Sequence, residues 1–95
     1  MLFALIAYDR PNSIASRLEI RPEHLKFLDA LGDQLVLAGP FLDDKGDMVG
    51  SIVVVEAETL DAARETFGRD PFMQGNLFDS VTIKPWRLGV NKTHK

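Results

Sequence analysis

Residues 2–8 (LFALIAY) are apolar at odd and even positions alike. A run of that length reads as a strand, and the lack of alternation reads as a strand covered on both faces. Residues 34–42 (QLVLAGPFL) give a second strand, disturbed at Gly39-Pro40. Proline cannot donate to a ladder, so this strand is expected at a sheet edge, or to stop at that point. Residues 50–56 (GSIVVVE) form a Val-rich third strand of central character, and residues 78–86 (FDSVTIKPW) a fourth. The polar stretch 43–47 (DDKGD) is the turn between the second and third strands.

Two helices are expected in the gaps. Over residues 21–32, Leu25, Leu28 and Leu31 fall on one stripe at about 100° per residue. Pro22 suits the first turn of this helix, and Gly32 its end. The preceding residues 9–20 carry Pro11, Asn12 and Ser13 and read as a loop with room for a short helical turn. The second helix covers residues 60–67. Thr59 is its N-cap, Asp61 favours the helix dipole, and Gly68 is placed to end it in the left-handed conformation. The small Ala62 and Ala63 should let this helix lie close to the sheet. Asp70-Pro71 opens a further turn through Phe72 and Met73, and the polar residues 87–95 are expected to fray.

The order βαββαβ predicts an α+β, ferredoxin-like subunit: an antiparallel four-stranded sheet with two helices on one face. The helices cover one side only, yet residues 2–8 and 50–56 are apolar on both. The uncovered face calls for a second copy of the same sheet, which predicts a homodimer packed through its sheet faces.

Composition narrows the function. At 95 residues the chain is expected to form a single domain, 1–95. Its 45% hydrophobic and 26% charged residues are ordinary for a soluble globular protein. A net charge of −3 argues against a nucleic-acid partner. The absence of cysteine removes disulfides, thiol nucleophiles and thiolate metal sites, and fits a reducing cytoplasm. Asp9 and Arg10 cut the opening apolar run short, so it is neither a membrane span nor a signal peptide, and no membrane partner is expected.

The chemistry centres on His24, which stands on the inward stripe of the first helix where a plain helix would put Leu. An imidazole there either finds a hydrogen-bond partner or does chemistry. In the expected topology, the end of the first strand, the start of the first helix and the end of the second strand share one rim. The start of the third strand, the end of the second helix and the start of the fourth strand share it too. Asp9, His24, Gly39, Pro40, Gly50, Ser51 and Asp70 all fall near that rim.

Each has a plainer reading. Asp70 ahead of Pro71 is what an N-cap looks like. Ser51 can simply bond backbone, and Asp9 can be a turn residue. Gly39 and Gly50 either end strands or let a ligand approach the backbone. Arg17 and Arg21 are either solvated or hold a carboxylate through the guanidinium fork. Phe67, Phe72, Phe78 and Trp86 read as core or interface. The phosphate-loop, dinucleotide and HExxH patterns are absent, and the second histidine, His94, lies in the tail, so no metal site is expected.

Together these stretches resemble the YciI-like family (the YCII-related domain) of the dimeric α+β barrel superfamily. The resemblance is carried by YDRPNSIASRLEIRPEHLKFL at 8–28, LAGP at 37–40, GSIVVVE at 50–56, DPF at 70–72 and VTIKPW at 81–86. It implies a ferredoxin-like homodimer with an active site on His24 and Asp70 and with Ser51 as its small hydroxyl residue. The turn DDKGDM is short where some relatives carry an insertion, and this loop would help roof the site.

Relatives with assigned chemistry point to cofactor-free lyase or isomerase work on small oxygenated rings, such as dehydrohalogenation. The resemblance therefore implies a small-molecule substrate and a dyad with its side chains roughly 2.6–3.2 Å apart. Asp70 would hold the ring tautomer while the free nitrogen takes a proton, an effect worth about 10²–10⁴-fold in rate. The other reading is a non-catalytic binding or accessory module, using the same cleft for an acidic metabolite or a partner protein. The state of His24 separates the two. A cleft-wall histidine would be replaced by alanine at little cost in stability, whereas a satisfied core histidine would cost on the order of 2–4 kcal/mol.

Overall fold

The strands that are apolar on both faces occupy the centre of the sheet. The computed structural model describes residues 1–93. In chain order they form β1 (Leu2–Asp9), α1 (Ile14–Ala30), a 3-10 turn (Gly32–Gln34), β2 (Leu35–Leu42), β3 (Met48–Glu56), α2 (Leu60–Gly68), the one-turn α3 (Pro71–Gln74) and β4 (Phe78–Trp86). The sheet order is β2-β3-β1-β4, with every neighbouring pair antiparallel. This is the ferredoxin-like α+β fold. β1 and β2 run one way and β3 and β4 the other, so the shared rim exists as expected. β2 is an edge strand, and Pro40 sits within it opposite Ser51, where a missing N–H leaves no partner across the edge unsatisfied.

α1 departs from the expectation. It begins at Ile14, within the stretch read as loop, and Pro22 lies in its interior instead of its first turn. The chain turns out of β1 through Asn12 at φ 60°, a left-handed position that asparagine tolerates. The Arg17 N–H then closes the first helical turn on the Ser13 carbonyl at 2.8 Å. Pro22 cannot donate to the Leu18 carbonyl, but both residues are exposed, so water can take the vacant place. His24 is therefore in the third turn of the helix, further along the sheet than the rim itself. Leu28 and Leu31 turn inward as expected, whereas Leu25 lies on the flank, 44% exposed.

α2 is capped as its sequence implies, with the Ala62 N–H donating to Thr59 Oγ1 at 3.1 Å. Its end differs. Gly68 is still helical and the C-cap is Arg69 in the right-handed region. The left-handed residue comes only after α3, at Asn76 (φ 56°). The turn expected after Asp70 is in fact the single helical turn of α3. Both helices pack on one face over Phe3, Leu5, Ala7, Val53 and Val55, joined by Leu28, Ala63, Phe67, Phe72, Leu77 and Phe78. Ala63 is fully buried, which lets α2 approach the sheet. Trp86 stays outside this core.

The other face is apolar and open: Ile6 is 38%, Tyr8 51%, Leu37 40% and Trp86 41% exposed. Tyr8 and Phe41 stack there with centroids 5.4 Å apart. They close over Gly50, where a Cβ would stand 2.5 Å from the Ala7 carbonyl, 3.1 Å from the Phe41 ring and 3.3 Å from the Tyr8 ring. Gly50 is thus explained by packing of the chain on itself. Gly50→Ala should lower stability by about 1–3 kcal/mol through overpacking, read from denaturant melts against the parent protein.

Candidate active site

α1 presents Arg17, Arg21, His24 and Leu28 on one stripe, at spacings of four, three and four residues. Together with Leu25, this stripe lies over the edge of the sheet formed by β2 and β3. Ala38, Gly39 and Pro40 from β2, and Ser51, Ile52 and Val53 from β3, complete a cavity of about 130 Å³. A wider hollow of about 620 Å³ lies between Met1, Leu2 and residues 85–88, but among the described residues Arg87 is the only charged side chain lining it. Arg17, Arg21, His24 and Ser51 gather at the smaller cavity.

His24 is 7% exposed. Its Nδ1 lies 2.8 Å from Asp70 Oδ1 and 2.9 Å from Oδ2. An ionised carboxylate only accepts, so Nδ1 donates, and in the neutral ring Nε2 carries the lone pair. Nε2 has no hydrogen-bond partner among the described residues, yet no buried side-chain nitrogen or oxygen there is left unpaired. Nε2 therefore reaches solvent, in the cavity that His24 lines.

Asp70 does two jobs. It holds the imidazole, and as N-cap of α3 it accepts the Phe72 N–H at 2.9 Å. Pro71 at the first helical position suits this short turn. Phe72 in turn stacks on His24 with ring centroids 3.9 Å apart and an interplanar angle of 16°. The imidazole thus has the packing of a core residue and the open nitrogen of a cleft residue. His24→Ala would leave both the Asp70 carboxylate and the Phe72 face without their partner. The mild stability cost of a bare cleft wall does not suit this geometry, and about 2–4 kcal/mol does.

Arg17 is neither solvated nor free. It is 2% exposed, and its fork holds Asp9, with Nε 2.7 Å from Oδ2 and Nη2 3.1 Å from Oδ1. Nη2 also donates to Ser51 Oγ at 2.7 Å. The guanidinium carbon lies 4.5 Å from the centroid of the Phe72 ring, within cation–π range. Ser51 bonds a guanidinium, then, and its hydroxyl still has a proton to donate.

Of the residues singled out from sequence, Arg17, Arg21, His24, Gly39, Pro40 and Ser51 line the cavity. Asp9 and Asp70 stand behind it, each holding one wall residue, and Gly50 is outside it. Around Gly39 no atom of the chain occupies the space of a Cβ. Sequence reasoning missed Phe72 as a site residue, although DPF had drawn notice. It also missed the apolar wall of Leu28, Ala38 and Val53.

Among the described residues, no three His, Asp or Glu side chains come together as metal ligands; His94 lies outside them. No helix there is long and apolar enough to cross a membrane. The buried Arg17–Asp9 pair generates a test. Asp9→Ala leaves a guanidinium buried without its counter-charge, and denaturant melts should show a loss of about 3–5 kcal/mol.

Comparison with known proteins agrees with this fold. The model of the YCII-related domain matches residues 1–87. Protein YciI of Escherichia coli O6:H1 (strain CFT073) is 35% identical over 92% of this chain and 97% of its own length. A protein of Haemophilus influenzae Rd is 32% identical over the same shares. Among solved structures, 5-chloro-2-hydroxyhydroquinone dehydrochlorinase (TftG) from Burkholderia phenoliruptrix, in complex with 2,5-dihydroxybenzoquinone, is 33% identical. It superimposes with a TM-score of 0.85 over 94% of this chain and 96% of its own. The cofactor-independent oxygenase SnoaB from Streptomyces nogalater, 14% identical, shares the fold with a TM-score of 0.59 over 92% of this chain and 93% of its own. By the match over residues 1–87 and by identity along most of its length, the chain belongs to the YCII-related domain family.

Proposed function

We propose that this protein is a small enzyme of proton-transfer type, a lyase or isomerase of dehydrohalogenase-like chemistry acting on a small oxygenated ring. The observation that carries the reading is the imidazole of His24: one nitrogen is fixed by Asp70 and the other is open to a cavity. In this reading Nε2 takes a proton from a ring hydroxyl or an acidic ring carbon. The ring reacts as its keto tautomer, in which the carbon bearing the leaving group is saturated, so the electron pair left behind moves into the ring and expels that group as an anion, while the proton remains on the imidazolium. Asp70 steadies that positive charge without accepting the proton. Ser51 Oγ and the Arg17 guanidinium, 2.7 Å apart, offer donors where negative charge develops on a ring oxygen. All of these steps use protein groups alone. The 33% identical dehydrochlorinase, bound to a dihydroxyquinone, supports a ring of this kind as substrate.

The apolar open sheet face supports a further part of the proposal, a homodimer through sheet faces. The lack of cysteine supports work in the cytoplasm.

His24→Gln tests the chemistry without emptying the site. With 5-chloro-2-hydroxyhydroquinone as trial substrate, the parent protein should release chloride and form the quinone. The variant loses the stack on Phe72 and should melt somewhat earlier, so rates are compared well below its own transition, where it should be slower by about 10²–10⁴-fold. Equal rates would remove His24 as the base, and tight binding of 2,5-dihydroxybenzoquinone without any turnover would favour the accessory-module reading. Light scattering tests the assembly: the parent protein should run at twice the monomer mass at micromolar concentration, and Ile6→Asp should halve it. A parent protein that is stably monomeric would overturn the dimer.

A further inference from the structure

The charges around the cavity do not balance among the described residues. Arg17 is answered by Asp9, and His24 faces Asp70. Arg21 lines the same cavity, half-buried, and among the described residues its guanidinium makes neither a hydrogen bond nor an ion pair. No Asp or Glu is part of the lining. The apolar side chains of the wall are Leu25, Leu28, Ala38, Pro40 and Val53. A guanidinium beside such a wall presents a planar fork of donors with no acceptor of its own to meet. A ligand that fills the cavity displaces the water now available to that fork, so it must bring an acceptor or leave the charge unsatisfied.

We propose that Arg21 is the anchor for an oxyanion of the ligand, a carboxylate or an ionised ring hydroxyl, and that the substrate class is therefore small acidic rings. The placement fits one such ring. Arg21 precedes His24 by three residues on the same stripe, an axial offset of about 4.5 Å. An oxyanion on the fork and a reacting atom at His24 Nε2 can then belong to the same small molecule. The substrate class rests on the proton-transfer reading, whereas the anchor is a statement about binding and stands apart from it.

Calorimetric titration separates the two. The probes are 2,5-dihydroxybenzoate and its neutral amide, against the parent protein, Arg21→Gln, Arg21→Lys and His24→Gln. The parent should bind the acid at least about tenfold more tightly than the amide, the range expected of a charge-assisted fork. Arg21→Gln should erase that preference by weakening the acid alone, and Arg21→Lys should keep part of it. His24→Gln should keep it nearly whole, since it removes the base and leaves the anchor. The proposal is overturned if the parent shows no preference for the acid, or if the preference survives in Arg21→Gln. A His24→Gln protein that retains full turnover would sink the base while the anchor still stood.

Discussion

The buried fork between Arg17 and Asp9 is the constraint on which the site depends. Two charges taken out of water are tolerable only in good geometry with their remaining donors satisfied. Here the carboxylate at the end of β1 takes two donors, and Ser51 of β3 takes a third. That requirement fixes the rotation of α1 about its own axis. Once Arg17 must face the sheet, Arg21, His24 and Leu28 follow it by helical arithmetic. The cavity is what lies between that stripe and the edge of the sheet.

Phe72 links this anchor to the dyad. It is fully buried, meets Arg17 through its ring, lies flat on His24, and gives its N–H to Asp70. The short α3 therefore supplies three contacts through the single residue Phe72. The imidazole is pinned in plane by the stack and in rotation by the carboxylate, so its open nitrogen has a defined direction. Packing and polar satisfaction agree here, which is the condition under which a buried polar network specifies one arrangement.

Much of the fold was legible in the sequence because the strands are either apolar on both faces or marked by Pro40, and those signals survive without tertiary context. The first half of α1 was not legible. Its buried position is an arginine, its N-terminus lacks a side-chain cap, and Pro22 imitates a first turn. A stripe of Arg17, Arg21 and His24 looks polar to any test of hydrophobic period, although it faces inward. His24, Ser51 and Asp70 could be singled out because each is an odd residue in its local pattern. The Arg17–Asp9 pair and the role of Phe72 could not, since both arise from contacts between elements and leave no spacing to read. Gly50 stayed open between two readings for a related reason: a glycine cleared for an aromatic pair and one cleared for a ligand look alike in one dimension.

Pro40 bears on how copies of the protein can meet. An exposed edge strand is a template, and a chain that joins it offers its own far edge to the next, so such growth has no natural end. β2 is such an edge, but Pro40 within it has no backbone N–H to offer. Strand-by-strand propagation therefore meets a gap in the ladder. The broad apolar face behaves differently: once two copies cover each other, nothing sticky remains. Pro40 thus removes one donor from the β2 edge, where a further chain would have to pair.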